Sequence, residues 1–321
     1  ISGCTASGLN EARLGFEEMG KENHVFSPAY RDAEFDEIMG CCDHIIFNSV
    51  AQLNKFRGRC TANGKSFGLR INPECSTQPS DHAMYDPCGP DSRLGITIEN
   101  FQPELLDGIE GFHFHTLCEQ NSDDLVRTVA AFEQNFGQYM DGLKWINLGG
   151  GHHITRADYD VEALVSCITH LRDKYGVQIY LEPGEAVVLN AGYLVSTVLE
   201  TMKNRKDIAI LDTSAACHMP DVLEMPYRPP VMRADEPGCK AFDYLLTGRT
   251  CLAGDVIGEY SFDVPLMSGE QVVFEDMALY TMVKTNTFNG MPLPLIAIRR
   301  ADGTDEVVKM FGYEDFKNRL S

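Results

Sequence analysis

Short apolar runs alternate with helical patterns through the first 189 residues, and this alternation constrains the fold more than any other feature of the chain. The runs are HVFSPA (24–29), HIIFNS (44–49), FGLRIN (67–72), IEGFHFHT (109–116), LKWINL (143–148) and VQIYLE (177–182). Between most of them lie helical patterns, at 32–39, 50–57, 123–139 and 158–175. Such alternation argues for βα units around a parallel sheet. The opening ISGCTASGLNEARLG reads as a strand end, a turn and a helix capped by Ser7, with Asn10 and Glu11 in its first turn. With that strand the count is seven, one fewer than a TIM-type (β/α) barrel needs, and the strand that is wanting is the first. Beyond Leu189 the texture changes. AGYLVSTVLETM, DIAILDTS, QVVFEDM and LPLIAIRR are β-rich, and no helical pattern alternates with them. The expected architecture is an α/β chain: residues 1–189 a (β/α) barrel that is incomplete at its N-terminal end, and residues 190–321 a mostly antiparallel β domain.

The formal charge of −20 argues against nucleic acid and anionic membrane as partners. Eleven cysteines without a C-x-x-C pair, in a chain of 321 residues, suit reduced thiols in a cytoplasm better than a disulfide framework. No apolar run is long enough to span a bilayer and no secretory signal is present.

The chemistry-bearing residues cluster at three consecutive strand ends. HFHTL ends one strand, GGGHH follows the next, and LEPGE ends the last. In a barrel, functional groups gather at that C-terminal rim. Alternation along the strand puts His113 and His115 on one side and Phe114 on the other. The run WINLGGGHHIT reads as a buried strand, a glycine turn at Gly149, Gly150 and Gly151, and a helical pattern after Thr155. Without Cβ atoms, such a turn lets an anion approach the backbone. Two chemistries suit the rim. Histidines His113, His115, His152 and His153 with Glu182 are plausible zinc ligands, as in a metal-dependent barrel hydrolase. Alternatively, a phosphate-bearing ring cofactor would place its phosphate on the glycines, a histidine on its ring and a carboxylate on its ring nitrogen. The metal reading gives no reason for a GGG turn between the two polar strand ends.

TASGLNEARLG, RINPE, SRLGI, GFHFHTLCE, LGGG, EPGE, GRTCLAGD and EDMALYTMVKTNTFNG occur in this order along nearly the whole chain. Together they resemble the basic amino acid decarboxylases of the alanine-racemase fold type, which depend on pyridoxal 5′-phosphate (PLP). HFHTLCE, LEPGEA and LDTSAACHMPDVLEMPYRP are most similar to the branch that acts on carboxylated polyamines. The resemblance implies that His115 stacks on the cofactor ring, Gly149, Gly150 and Gly151 hold its phosphate, and Glu182 pairs with its ring nitrogen. It implies that Tyr280 donates to the phosphate and that Cys251 returns a proton to Cα. Asp255, and beside it Asp221 and Glu224, would meet substrate amines. Cys251 and Asp255 would reach into the partner's site of a homodimer. The chain also departs from the pattern: Glu185 stands where relatives carry an arginine, Leu252 replaces an acid after the cysteine, and Cys118 replaces a serine. The family's lysine, which holds the cofactor covalently, is expected upstream of Ile1. Lys284 is expected in a strand of the β domain as a structural or solvated residue, which leaves a lysine-lacking, non-catalytic dimer partner as the alternative reading.

Overall fold

The computed structural model describes residues 1–320, the side chains of 80–82 excepted. The chain divides into two compact units, Ile1–Val187 and Val188–Ser321.

The first unit follows the alternation. Its elements are β1 (Gly3–Ala6), α1 (Leu9–Leu14), β2 (Glu22–Phe26), α2 (Asp32–Cys41), β3 (His44–Phe47), α3 (Val50–Ala62), β4 (Ser66–Arg70), β5 (Gly111–His113), α4 (Ser122–Phe136), β6 (Trp145–Asn147), α5 (Val161–Tyr175) and β7 (Gln178–Tyr180). A short helix, α6 (Gly184–Val188), closes it. The seven strands form one sheet in chain order, each parallel to its neighbours. It is a curled open sheet with β1 and β7 as its edges, in keeping with a strand count one short of a closed TIM-type barrel. The curl is tight enough that Thr5 on β1 hydrogen-bonds Glu182, just past β7, at 3.1 Å. Two local expectations fail. Ser7 is not a cap: Gly8 holds that position, and the Ser7 N–H instead donates to Glu11 Oε2 at 2.7 Å. No helix follows the glycine turn directly, because α5 starts only at Val161, where the Asp160 side chain accepts the Ala163 N–H.

Alternation along the strands divides two environments. Phe112 and Phe114 point outward onto Phe132 of α4, in a core that also holds Phe35, Phe47 and Phe56. The concave face is more polar and is filled at its N-terminal end by Trp145, whose indole N–H donates to Ser66 Oγ at 3.0 Å. Room for that indole comes from glycines on the two preceding strands. A Cβ on Gly111 would sit 2.0 Å from Trp145 Cδ2, and one on Gly68 would sit 2.5 Å from its Cη2.

The second unit contains β8 (Tyr193–Asn204), β9 (Lys206–Leu211), α7 (Ala215–His218), α8 (Asp221–Glu224), β10 (Ala234–Asp235), β11 (Phe242–Thr247), β12 (Val256–Phe262), β13 (Gln271–Glu275), α9 (Tyr280–Val283), β14 (Ile296–Arg299), β15 (Asp305–Lys309) and α10 (Tyr313–Leu320). Six strands make a sheet in the order β10-β12-β11-β9-β8-β13. Its pairings are antiparallel except β9 with β11. β14 and β15 form a separate hairpin. The helices α7, α8 and α9 have four residues each, too few to leave a 3.6-residue period in the sequence. Lys284 therefore lies at the end of α9 and not in a strand.

Because Trp145 is the chain's single tryptophan, its fluorescence reports on the concave face. Gly111→Ala is expected to lower unfolding stability by about 1–3 kcal/mol through overpacking and to shift the emission of the folded protein. Chemical denaturation followed at the tryptophan band tests this; an unchanged midpoint and spectrum would refute the packing argument.

Candidate active site

In the first unit the polar strand ends converge as the alternation requires. His113 ends β5 and pairs in register with Asn147 at the end of β6, so both face the concave side. His115 lies two residues beyond His113, and Glu182 two residues beyond the last residue of β7.

The glycine turn is locked against its neighbours. Gly149 and Gly151 have φ of 71° and 78°, the left-handed region that glycine enters without penalty. A Cβ at Gly149 would lie 2.4 Å from the Phe114 carbonyl oxygen, and one at Gly151 would lie 2.0 Å from that of Leu117. A Cβ at Gly150 would lie 2.5 Å from the Glu182 carbonyl oxygen. The Gly149 N–H donates to Asn147 Oδ1 at 2.9 Å, and the Gly150 N–H reaches His115 Nδ1 at a long 3.3 Å. The turn is thus a bare backbone cradle beside the His115 ring. Residues 152–160 separate it from α5, so the cradle has no helix dipole of the kind the sequence suggested.

Glu182 is the electrostatic centre. Its Oε1 accepts from Thr5 Oγ1 at 3.1 Å and from Asn147 Nδ2 at 2.8 Å, while its Oε2 lies 3.5 Å from His113 Nε2. Burial alone would raise its pKa. The neighbouring His113 and His115 and the Asn147 donor outweigh that and hold it well below the usual carboxylate range. Burial, helped by the Arg70 cation, pushes the His115 imidazole down to about 3, and burial pushes His152 down to about 4. These rings are therefore neutral at physiological pH. Arg70 donates to the His115 carbonyl at 3.0 Å; burial lowers it to about 10, so it keeps its charge.

Further along the rim His153 Nε2 lies 3.4 Å from Glu185 Oε1, so the acid that stands in place of an arginine is matched by a histidine. Among the described residues three sets have the donors and spacing for a metal ion: Glu22, His24 and His44; His113, His115 and Glu182; and Glu119, His153 and Glu185.

The second unit gathers the remaining candidates. Cys251 is exposed, and its N–H donates to Asn289 Oδ1 at 2.7 Å. Asp255 is buried, at 3 % exposure. Its Oδ1 accepts from Ser214 Oγ at 3.0 Å and the Ala216 N–H at 3.3 Å. Its Oδ2 accepts from Thr250 Oγ1 at 2.7 Å and the Thr250 N–H at 3.2 Å. This carboxylate ties the Cys251 loop to α7. Asp221 and Glu224, three residues apart on α8, both accept from the Lys284 ammonium, which lies 5.2 Å from the centre of the Tyr280 ring. Tyr280 opens α9 and is 56 % exposed.

Sequence reasoning missed Thr5, Asn147, Ser214 and Asn289, which act through side-chain hydrogen bonds. Only Asn147 had a signal, as a polar residue inside the apolar run WINL.

The chain is similar to known proteins. The profile described as pyridoxal-dependent decarboxylase, C-terminal sheet domain, matches residues 25–278. A carboxynorspermidine/carboxyspermidine decarboxylase of Campylobacter jejuni is 46 % identical over 99 % of this chain and 85 % of its own length. A carboxyaminopropylagmatine decarboxylase of Synechocystis is 42 % identical over 100 % of this chain and 83 % of its own. The crystal structure of carboxynorspermidine decarboxylase from C. jejuni, complexed with norspermidine, superposes with a TM-score of 0.91 at 44 % identity, over 99 % of this chain and 86 % of that one. Family and fold agree, the metal-dependent hydrolase is no longer favoured, and the chain belongs to the pyridoxal-dependent decarboxylases.

Proposed function

We propose that the protein removes the α-carboxylate of a carboxylated triamine, carboxynorspermidine or carboxyspermidine, as carbon dioxide, and so forms norspermidine or spermidine in polyamine biosynthesis. The observation that carries this reading is the ionised, buried Glu182 beside a bare glycine cradle and a neutral histidine ring. The same three features fit PLP. Gly149–Gly151 would hold its phosphate, assisted by Tyr280. His115, kept neutral by burial, would stack on the ring. Glu182 would hold a proton on the ring nitrogen. Bound there, PLP supplies an electron sink for the pair left on Cα when carbon dioxide departs. Cys251 then returns the proton to Cα. We assign Cys251 to the partner's site in a homodimer, and Asp255 to the role of holding the Cys251 loop in place. Asp221 and Glu224 receive the cationic amines of the substrate.

A second substrate is favoured by the 42 % identity to the Synechocystis enzyme: carboxyaminopropylagmatine, which ends in a guanidinium group. Turnover assays on the purified homodimer with PLP, comparing this compound with carboxynorspermidine and carboxyspermidine, decide the matter. We expect the triamines to give the higher kcat/KM. Preference for the agmatine derivative would transfer the assignment to it, and inertness towards all three would overturn the function.

Two substitutions probe the machinery. Glu182→Gln keeps the shape but loses the charge that holds the ring-nitrogen proton, and kcat should fall by about 10²–10³-fold, as for loss of one preorganised electrostatic contact. A kcat within threefold of the parent argues against the pairing. Asp255→Asn turns an amide N–H₂ onto donors that in the parent meet an acceptor. Stability should fall by about 1–3 kcal/mol together with kcat, whereas Cys251→Ser should lower kcat and leave the melting temperature in place. Thermal melts and kinetics of both variants separate the roles; an Asp255→Asn protein of unchanged stability with a raised KM alone would restore the substrate-amine role to Asp255.

A further inference from the structure

His113 is a buried titratable group that this mechanism leaves without a task. It is 1 % exposed, and neither ring nitrogen has a hydrogen-bond partner among the described residues. A fully buried imidazole with both nitrogens unmatched is costly, since each unmade hydrogen bond forfeits the hydration it had in the unfolded chain. The ring is nonetheless held firmly. It stacks on Phe26 with centroids 5.5 Å apart and planes at 24°, and the Arg70 guanidinium lies 4.4 Å from the Phe26 centroid. The ring is thereby aimed at one group. His113 Nε2 lies 3.5 Å from Glu182 Oε2, slightly too far for a hydrogen bond and close enough to become one with a small movement.

The partner atom is telling. Glu182 Oε1 already accepts two hydrogen bonds, from Thr5 and Asn147, both within the protein. Oε2 faces His113. A carboxylate held by one oxygen can still swing about its terminal bond. A second tether removes that freedom, and small misplacements of a reacting group are expensive in rate.

We propose that His113 is a positioning residue: as a neutral imidazole it donates its Nε2–H to Glu182 Oε2 and fixes the carboxylate that meets the cofactor's ring nitrogen. Neutrality matters to the design. Burial lowers the His113 pKa and the Arg70 cation adds to this, with Glu182 opposing. A neutral donor orients the carboxylate without neutralising it, so the full negative charge stays available for the ring nitrogen. The tautomer is then prescribed: the proton sits on Nε2 and Nδ1 is bare.

This inference rests on PLP as cofactor, and the experiment separates the two. Nitrogen-15 NMR of the histidine rings in the cofactor-free protein, assigned with His113 variants, reads the tautomer directly. We expect a neutral His113 with a protonated Nε2 whose resonance moves in Glu182→Gln. A bare Nε2, an imidazolium, or an Nε2 resonance indifferent to Glu182→Gln would overturn the contact whatever the cofactor does. With PLP labelled at the ring nitrogen, the wild-type protein should bind it with that nitrogen protonated. His113→Leu should bind it about tenfold more weakly and show the ring nitrogen losing its proton at a lower pH. His113→Gln, which restores a neutral donor, should recover the protonated signal, and it also serves if the leucine variant does not fold. Equal affinity and equal ring-nitrogen shift in wild type and His113→Leu would remove the positioning role alone. Failure of the wild-type protein to bind PLP would sink the cofactor reading and leave the NMR result to judge His113 and Glu182.

Discussion

The first unit depends on one buried negative charge at the place where its curled sheet comes round on itself. An isolated carboxylate in such a setting would take up a proton. Glu182 stays ionised because groups from three strand ends reach it: Thr5 of β1 and Asn147 at the end of β6 donate to it, and His113 of β5 lies 3.5 Å away. The charge therefore organises the fold and equips the site together. It draws the β1 edge towards the β7 edge, and Asn147 passes the constraint on by accepting the Gly149 N–H, which sets the start of the glycine turn. Even the alternation of small and large residues on the concave face serves this end. Gly68 and Gly111 admit Trp145 below, and the polar groups are carried at the rim above it.

Asp255 in the second unit shows the opposite use of the same group. It too is buried, but each of its oxygens accepts two hydrogen bonds from the chain. Such a carboxylate has no lone pair to offer a ligand without first releasing a donor, and releasing a donor in a buried place costs about 1–3 kcal/mol. Glu182 keeps one oxygen in reserve. Counting donors on each oxygen thus separates a carboxylate whose oxygens are all engaged from one with an oxygen in reserve, a distinction that residue type and motif position alone do not make.

That difference sets the limits of what the sequence could tell. The seven parallel strands were legible because each is a buried apolar run with a helical partner, and the rim residues His113, His115, Gly149–Gly151 and Glu182 were legible because strand ends are. The openness of the sheet was legible as well, as a count of seven strands where a closed barrel needs eight. The short helices α7 and α8 were invisible to periodicity, although Ser214 caps the first of them with its hydroxyl. The network around Asp255 was hidden because its donors come from positions 214, 216 and 250, and the sequence carries no signal for that meeting. Lys284 was misplaced for the same reason: only the fold brings it onto Asp221 and Glu224.

The acid pair on α8 bears on which cation the proposed site prefers. Asp221 and Glu224 carry two negative charges, and Lys284 returns one positive, so the group attracts a further cation with a net charge of about one unit. Charge alone cannot distinguish an ammonium from a guanidinium. Geometry can. A guanidinium binds best to both oxygens of a single carboxylate in a planar fork. Lys284 engages Oδ1 of Asp221 and Oε2 of Glu224, so each carboxylate has only one oxygen uncommitted by that lysine. A compact ammonium, with three donors free to rotate, can use one oxygen from each acid; a planar fork must first displace the lysine. If the pair receives the substrate's amines as proposed, that asymmetry favours a triamine over an agmatine derivative.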